Sequence, residues 1–315
     1  MSPMPLDLLV PDLLLSPASR PARLTSVEKW LARADAARHP ARSAAAWLAD
    51  VYALPALPVA ALGRLGDTGS AEGAWMRADP VHLAVEGDAL RLRDASSLGL
   101  GLDEARSLAA ALQSHFAPDG LEFHAQTPVR WYVKLAAGEA PATTPLDEAL
   151  GRNVFGLLPH DGKWRSAMTE AQMILNGHEV NARREAEGKP AINSVWFWGA
   201  GALPAAVARP YAVVHANDAS ARGLATLSGA KLQDVPGGVS GIDLARADDA
   251  VLAVVDGIDA ATLDERWFRP LGEAIERFDR VRLILPSSGD TLVATLTASA
   301  RWRWFRAARP LSAYA

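Results

Sequence analysis

Hydrophobic positions along the chain alternate between two rhythms, steps of three or four residues and steps of two, and their order predicts an α/β protein. Thr25 with Glu28 has the spacing of a capping box and opens a helix burying Val27, Trp30, Leu31 and Ala34, which Pro40 stops. A second helix carries Trp47, Leu48, Val51 and Tyr52 and ends before Pro55 and Pro58. Gly63, Gly66, Gly69 and Gly73 then read as a flexible connection, since no Gly-Lys-Ser/Thr follows to make a phosphate loop.

From residue 74 to about 136 the pattern is that of a small α+β unit. Val81, Leu83 and Val85 alternate, Glu86-Gly87-Asp88 turns, and Leu90 and Leu92 resume the alternation, as in a hairpin. Ala105, Leu108, Ala109, Leu112 and Phe116 fall at helical spacing, and a second alternating pair, Leu121 with Phe123 and Val129 to Leu135, follows. A long helix is expected from Trp164 to Glu187, with His178 on its apolar stripe. Val195–Trp198, Tyr211–Val214 and Val251–Val255 then read as buried parallel strands. Helices at Ala219 to Leu227 and after Thr262, and closing strands Val281–Leu285 and Leu292–Leu296, complete the alternation. The expected fold is a mostly parallel sheet flanked by helices, built from residues 1–73 and 137–315, with residues 74–136 as a small inserted α+β domain.

Composition narrows the functional classes. The 315 residues carry a formal net charge of -4, so no global basic field marks a nucleic-acid binder. The absence of cysteine excludes disulfides, thiolate metal sites and cysteine nucleophiles, and fits a cytoplasmic setting. The leucine-rich start is broken by Asp7, Asp12, Pro5 and Pro11, and no stretch approaches the roughly 20 apolar residues of a membrane span. Neither a membrane nor a nucleic acid is the expected partner.

Several groups are candidates for chemistry. Glu122, His124 and Gln126 share a hairpin face with Arg130, Tyr132 and Lys134. Such a face either clamps an anion through guanidinium forks or is simply solvated, and the solvated reading is favoured. Asn193 and Trp198 belong to a segment ending in Gly199-Ala200-Gly201, a strand end of the kind where open α/β sheets place ligands. Asp256 and Asp259 follow a hydrophobic strand, and a capped turn is the favoured reading there over a Mg²⁺ site. Arg301-Trp302-Arg303-Trp304-Phe305-Arg306 suits either nucleic-acid stacking or a strand with its tryptophans inward, and the strand is favoured.

Taken together, Trp75 to Leu83, Arg130-Trp131-Tyr132 and Met173 to Gly201 resemble the RpfE-type regulatory proteins of proteobacteria. More distantly, these segments resemble the archaeal-type cofactor-independent phosphoglycerate mutases of the alkaline-phosphatase superfamily. Arg77 and Arg130 fall where that family has arginines in its inserted substrate domain. His178, Asn181, Arg184, Asn193, Trp196, Trp198, Gly199 and Gly201 match its histidine–asparagine–arginine and tryptophan–glycine pattern. The resemblance implies a small phosphorylated or carboxylate ligand, with Arg77, His82, Arg130, His178, Asn181, Arg184, Asn193 and Trp198 as the candidate site. It also implies a two-metal centre with a hydroxyl nucleophile. Residues 1–55 read as too short for that family's first strands, metal-binding aspartate and nucleophile; Asp256 to Asp259 lacks its histidines; and Thr291 stands where Gly289-Asp290 would be followed by one. The expectation is therefore a truncated, non-catalytic relative with no metal or cofactor, regulatory or binding a ligand or a protein partner. An active phosphomutase or phosphatase is the alternative, and nucleic-acid binding through the arginine–tryptophan segment a second.

Overall fold

The structure is a computed structural model, and it describes residues 4–11, 13–14, 23–41, 43–136, 141–242, 250–287 and 289–315. In chain order, the first elements are strand β1 (Met4–Leu9), helix α1 (Thr25–Arg33), strand β2 (Asp35–His39) and helix α2 (Ala44–Val51). Then come α3 (Val59–Thr68), β3 (Ala74–Glu86), β4 (Ala89–Asp94), α4 (Leu102–Phe116), β5 (Glu122–Ala125) and β6 (Trp131–Leu135). The short α5 (Leu146–Ala149), α6 (Gly162–Asn176), α7 (Glu179–Ala186) and β7 (Ser194–Ala202) follow. The last third holds β8 (Val213–Ala216), α8 (Ala219–Ser228), β9 (Lys231–Gln233), β10 (Val251–Val254), α9 (Ala260–Leu263), α10 (Leu271–Ala274), β11 (Phe278–Pro286) and β12 (Thr291–Leu296).

Two compact units result. One combines residues up to Leu57 with Ala205–Ala315, and the other is Pro58–Pro204. The boundaries differ from the expected insertion at 74–136 because α3 and α6 pack on the smaller sheet and β7 belongs to it. The first unit is α/β, with a seven-stranded sheet in the order β2-β12-β11-β1-β10-β8-β9. β1 pairs in parallel with both β10 and β11, β10 with β8, and β8 with β9; β12 and β2 run antiparallel at one edge. The mostly parallel sheet flanked by helices is as the alternating pattern predicts.

The central place of β1 overturns the expectation that the N-terminal residues furnish no first strand. Leu6, Leu8 and Leu9 are fully buried, and the interrupting Asp7 is tolerated because its carboxylate is paired. Oδ1 accepts Arg282 Nε at 2.6 Å and Oδ2 accepts the Tyr211 hydroxyl at 2.6 Å, so the charge is buried with partners. Burial foremost, and then Asp7, hold the Tyr211 hydroxyl far above its usual range.

The second unit has an antiparallel sheet in the order β4-β3-β6-β5, with β7 also paired to β3. β7 was expected in the parallel sheet. Its apolar run, Val195-Trp196-Phe197, reads like a parallel strand because helices cover it. The segment read as a glycine linker is mostly helix: Gly63 and Gly66 lie within α3, and only Gly69, left-handed at φ 75°, ends it. Gly63 is required by contact, since a Cβ there would lie 2.7 Å from the Tyr132 hydroxyl oxygen.

Two further expectations are corrected. The single helix from Trp164 to Glu187 is two helices broken at Gly177-His178. The helix after Thr262 is capped by Asp259, whose side chain accepts Thr262 N at 2.9 Å, and passes at once into a π-helical turn over Asp264–Phe268.

Candidate functional site

All eight candidate residues lie in the second unit, where they form two internal networks. The first is built on β3 and β6. Asp79, buried on β3, accepts Arg77 Nε and Nη2 on Oδ1 at 3.0 and 2.7 Å, Trp131 N on the same oxygen at 3.0 Å, and Trp198 Nε1 on Oδ2 at 2.8 Å. The Arg77 guanidinium sits 5.1 Å from the Trp198 ring centroid and 5.4 Å from that of Tyr132. Beside it, Asp67 of α3 accepts Arg130 Nε and Nη2, each at 2.8 Å, and the Tyr132 hydroxyl at 2.7 Å. Burial above all pushes the Tyr132 hydroxyl well above its usual range; Asp67 adds to this and Arg77 opposes it.

This arrangement corrects the reading of the hairpin face as solvated. Tyr132 is buried, and α3 contributes the carboxylate that neutralises Arg130. The α3 carboxylate was invisible in the pattern because its segment read as a linker.

The second network ties backbone together. Arg184, fully buried, donates to Pro190 O at 3.0 Å, Leu98 O at 2.7 Å and Glu104 Oε2 at 3.0 Å. Asn181 donates to Leu175 O and Ile192 O at 2.7 and 2.8 Å, and its Oδ1 accepts Ile192 N at 2.8 Å. Asn193 accepts Leu83 N at 2.8 Å and donates to Leu83 O at 2.9 Å, adding side-chain rungs just past the last β3–β7 pair, Val81 with Ser194. His82 Nδ1 meets Ala191 O at 2.8 Å. His178 is off the apolar stripe: it is the N-cap of α7, and its Nδ1 accepts Val180 N at 3.1 Å. The eight residues therefore do not converge on one cleft. Each of the three candidate arginines already holds a carboxylate of its own unit.

The arginine–tryptophan segment also departs from expectation. It forms a 3₁₀ turn over Ala298–Trp302 and loops, and Trp302, Trp304 and Phe305 are 68, 73 and 71% exposed. Arg303 pairs with Asp35 at 2.6 Å and Arg301 with Glu276, so cations needed for phosphate contact are engaged.

Other polar groups gather at the carboxyl ends of the parallel strands in the α/β unit. His215, buried at the end of β8, has Nδ1 3.1 Å from Asp234 O, and its Nε2 is buried with no hydrogen-bond partner. Asp218 caps α8 by accepting Ala221 N at 2.8 Å. Asp256 follows β10, and Ser287 follows β11 with its hydroxyl 3.1 Å from Asp290 Oδ1. Asp290 also pairs with Arg38 at 2.7 Å, and Thr291 donates to Ala41 O at 2.8 Å. Asp12 lies outside the described residues. Among the described residues no three His, Cys, Asp or Glu side chains gather closely enough to hold a metal ion, so these residues do not fit a two-metal centre.

No family model matches the chain. Among curated proteins it is 31% identical over 142 residues to a probable 2,3-bisphosphoglycerate-independent phosphoglycerate mutase of Geobacter sulfurreducens, covering 44% of this chain and 35% of that protein. It is 26% identical over 219 residues to the 2,3-bisphosphoglycerate-independent phosphoglycerate mutase of Methanosarcina acetivorans, covering 62% and 54%. The chain is a distant homologue of the cofactor-independent phosphoglycerate mutases. The matched regions span about a third to a half of the relatives' own length. Among solved structures, the PH0037 protein of Pyrococcus horikoshii shares the fold, with a TM-score of 0.55 at 13% identity over 94% of this chain and 88% of that one. A cofactor-independent phosphoglycerate mutase from Thermoplasma acidophilum superimposes with a TM-score of 0.42 at 16% identity, over 93% and 89%. Among the described residues no helix is long and apolar enough to cross a membrane.

Proposed function

We propose that the chain is a phosphoglycerate-mutase-like protein that takes a small phosphorylated substrate at the carboxyl ends of its parallel strands and moves or removes the phosphoryl group. The observation that carries this reading is the agreement of curated relatives, which are named phosphoglycerate mutases. The geometry favours the strand ends over the smaller unit. Ligands of open α/β sheets sit outside the carboxyl ends of the strands. There His215 keeps an unused ring nitrogen, whereas Arg77, Arg130 and Arg184 are taken up by Asp79, Asp67 and Glu104. Turnover of 3-phosphoglycerate, followed by a coupled assay with Mn²⁺ or Mg²⁺ added and metal content measured on the same sample, tests it. Conversion that scales with protein supports the reading, and a folded, metal-supplemented protein without mutase or phosphatase activity overturns it.

A second reading is a cytoplasmic, non-catalytic relative that binds a ligand or a protein partner in a regulatory role, the RpfE-type resemblance being its ground. The absence of a metal-holding group among the described residues favours it. It predicts no turnover but a raised melting temperature with a phosphorylated metabolite.

A further inference from the structure

One concave site is lined by no residue of either network. β5 is an edge strand of the smaller sheet, and beside it runs a groove of about 430 Å³ between α3 and α4. Arg64 of α3 and Arg106 of α4 line it, with His124 and Gln126 at the strand; no Asp or Glu is among the lining residues. Among the described residues neither Arg64 nor Arg106 has a carboxylate partner, in contrast to Arg77, Arg130 and Arg184. Arg64 is held in place by uncharged contacts: its guanidinium lies 4.9 Å from the Trp75 ring centroid, and Nη1 donates to Gln126 Oε1 at 3.3 Å. Behind the wall, Arg64 Nε and His124 Nε2 are buried without hydrogen-bond partners. Burial first, and then the Arg64 charge, lower the pKa of His124 below its ordinary value, although Glu122, 3.9 Å from its Nε2, opposes the shift. Ala109, Ala110 and Phe123 add an apolar floor.

We propose that this groove binds a small organic anion, a carboxylate or a phosphate monoester, with its charge between Arg64 and Arg106 and its apolar body against Ala109, Ala110 and Phe123. Guanidinium forks match either oxyanion, and the groove is of a size that takes a small molecule. Gln126 adds an amide for orientation. The proposal does not rest on the mutase reading, since none of these residues lies in the α/β unit.

Calorimetric titration with phenyl phosphate and with benzoate, at low and at physiological salt, tests it and separates the two anion classes. The parent chain should bind at least one probe, more weakly as salt rises, and R106Q should lose at least tenfold in affinity while its melting temperature stays unchanged. R64Q should lose as much. No binding of either probe, or binding that R106Q leaves intact, overturns the site.

Discussion

Arg130 and Asp67 meet through two parallel hydrogen bonds of 2.8 Å, and the Tyr132 hydroxyl closes on the same carboxylate at 2.7 Å. This relationship turns a residue with the look of an anion clamp into a tie between β6 and α3. Removing one member leaves the others charged or polar in a site largely closed to water. D67A should therefore cost about 2–4 kcal/mol in urea unfolding, and R130M somewhat less because the arginine is a quarter exposed. A measured cost under about 0.5 kcal/mol for both would show that the pair is only a surface contact.

Tyr132 also meets α3 at Gly63. An alanine there puts a methyl carbon 2.7 Å from the hydroxyl oxygen, and the ring is fully buried, so relief requires moving the helix or breaking the bond to Asp67. G63A should destabilise by about 1–3 kcal/mol despite alanine's better helix propensity. In the G63A Y132F double variant, the cost of the alanine should be smaller.

Trp198 and Asn193 make separate contributions that differ in kind. W198F retains most of the packing but leaves Asp79 Oδ2 without its 2.8 Å donor, for an expected loss of about 1–2 kcal/mol. N193A removes both side-chain rungs to Leu83 and should lower protection of the Leu83 amide in hydrogen exchange before it changes global stability.

The pH dependence at His124 has a definite sign. Its folded pKa lies below the ordinary value, through burial first and then the Arg64 charge, so between that lowered value and about 6.5 the unfolded chain binds more protons than the folded one. The contribution is fully present above pH 6.5 and is lost as pH falls through that window. The melting temperature of H124Q should fall less than that of the parent between pH 7 and pH 5; an identical fall in both would remove His124 from the balance.

Much of the architecture was legible because strand–helix alternation is a period signal, and the elements at Val213, Val251 and Val281 carry it without interruption. β1 is not legible because Pro5 and Asp7 break its apolar run, and only the fold reveals that Arg282 and Tyr211 compensate the aspartate. The pattern of β7 does not distinguish the two sheets, because a strand covered on both faces has the same composition in either. α3 was hidden by four glycines, one of which is there to admit a tyrosine hydroxyl. The candidate site was legible as a set of unusual residues. Its role is not, because Asp67 and Glu104 lie 63 and 80 residues from the arginines they neutralise, and nothing local shows that Asp79 turns back onto Arg77 two residues away. The Arg64–Arg106 groove left no local signal, since its walls come from two helices and an edge strand.

The reading of the chain as a phosphoryl-handling relative of the mutases stands on a chemical conversion that can be watched directly. Phosphorus NMR of 3-phosphoglycerate incubated with the protein and Mn²⁺-treated controls, after metal removal before recording, resolves the substrate from its 2-isomer and from free phosphate. The account predicts growth of one of those two signals at a rate proportional to protein and absent from a protein-free control. An unchanged spectrum from protein whose folding is verified by circular dichroism would contradict it.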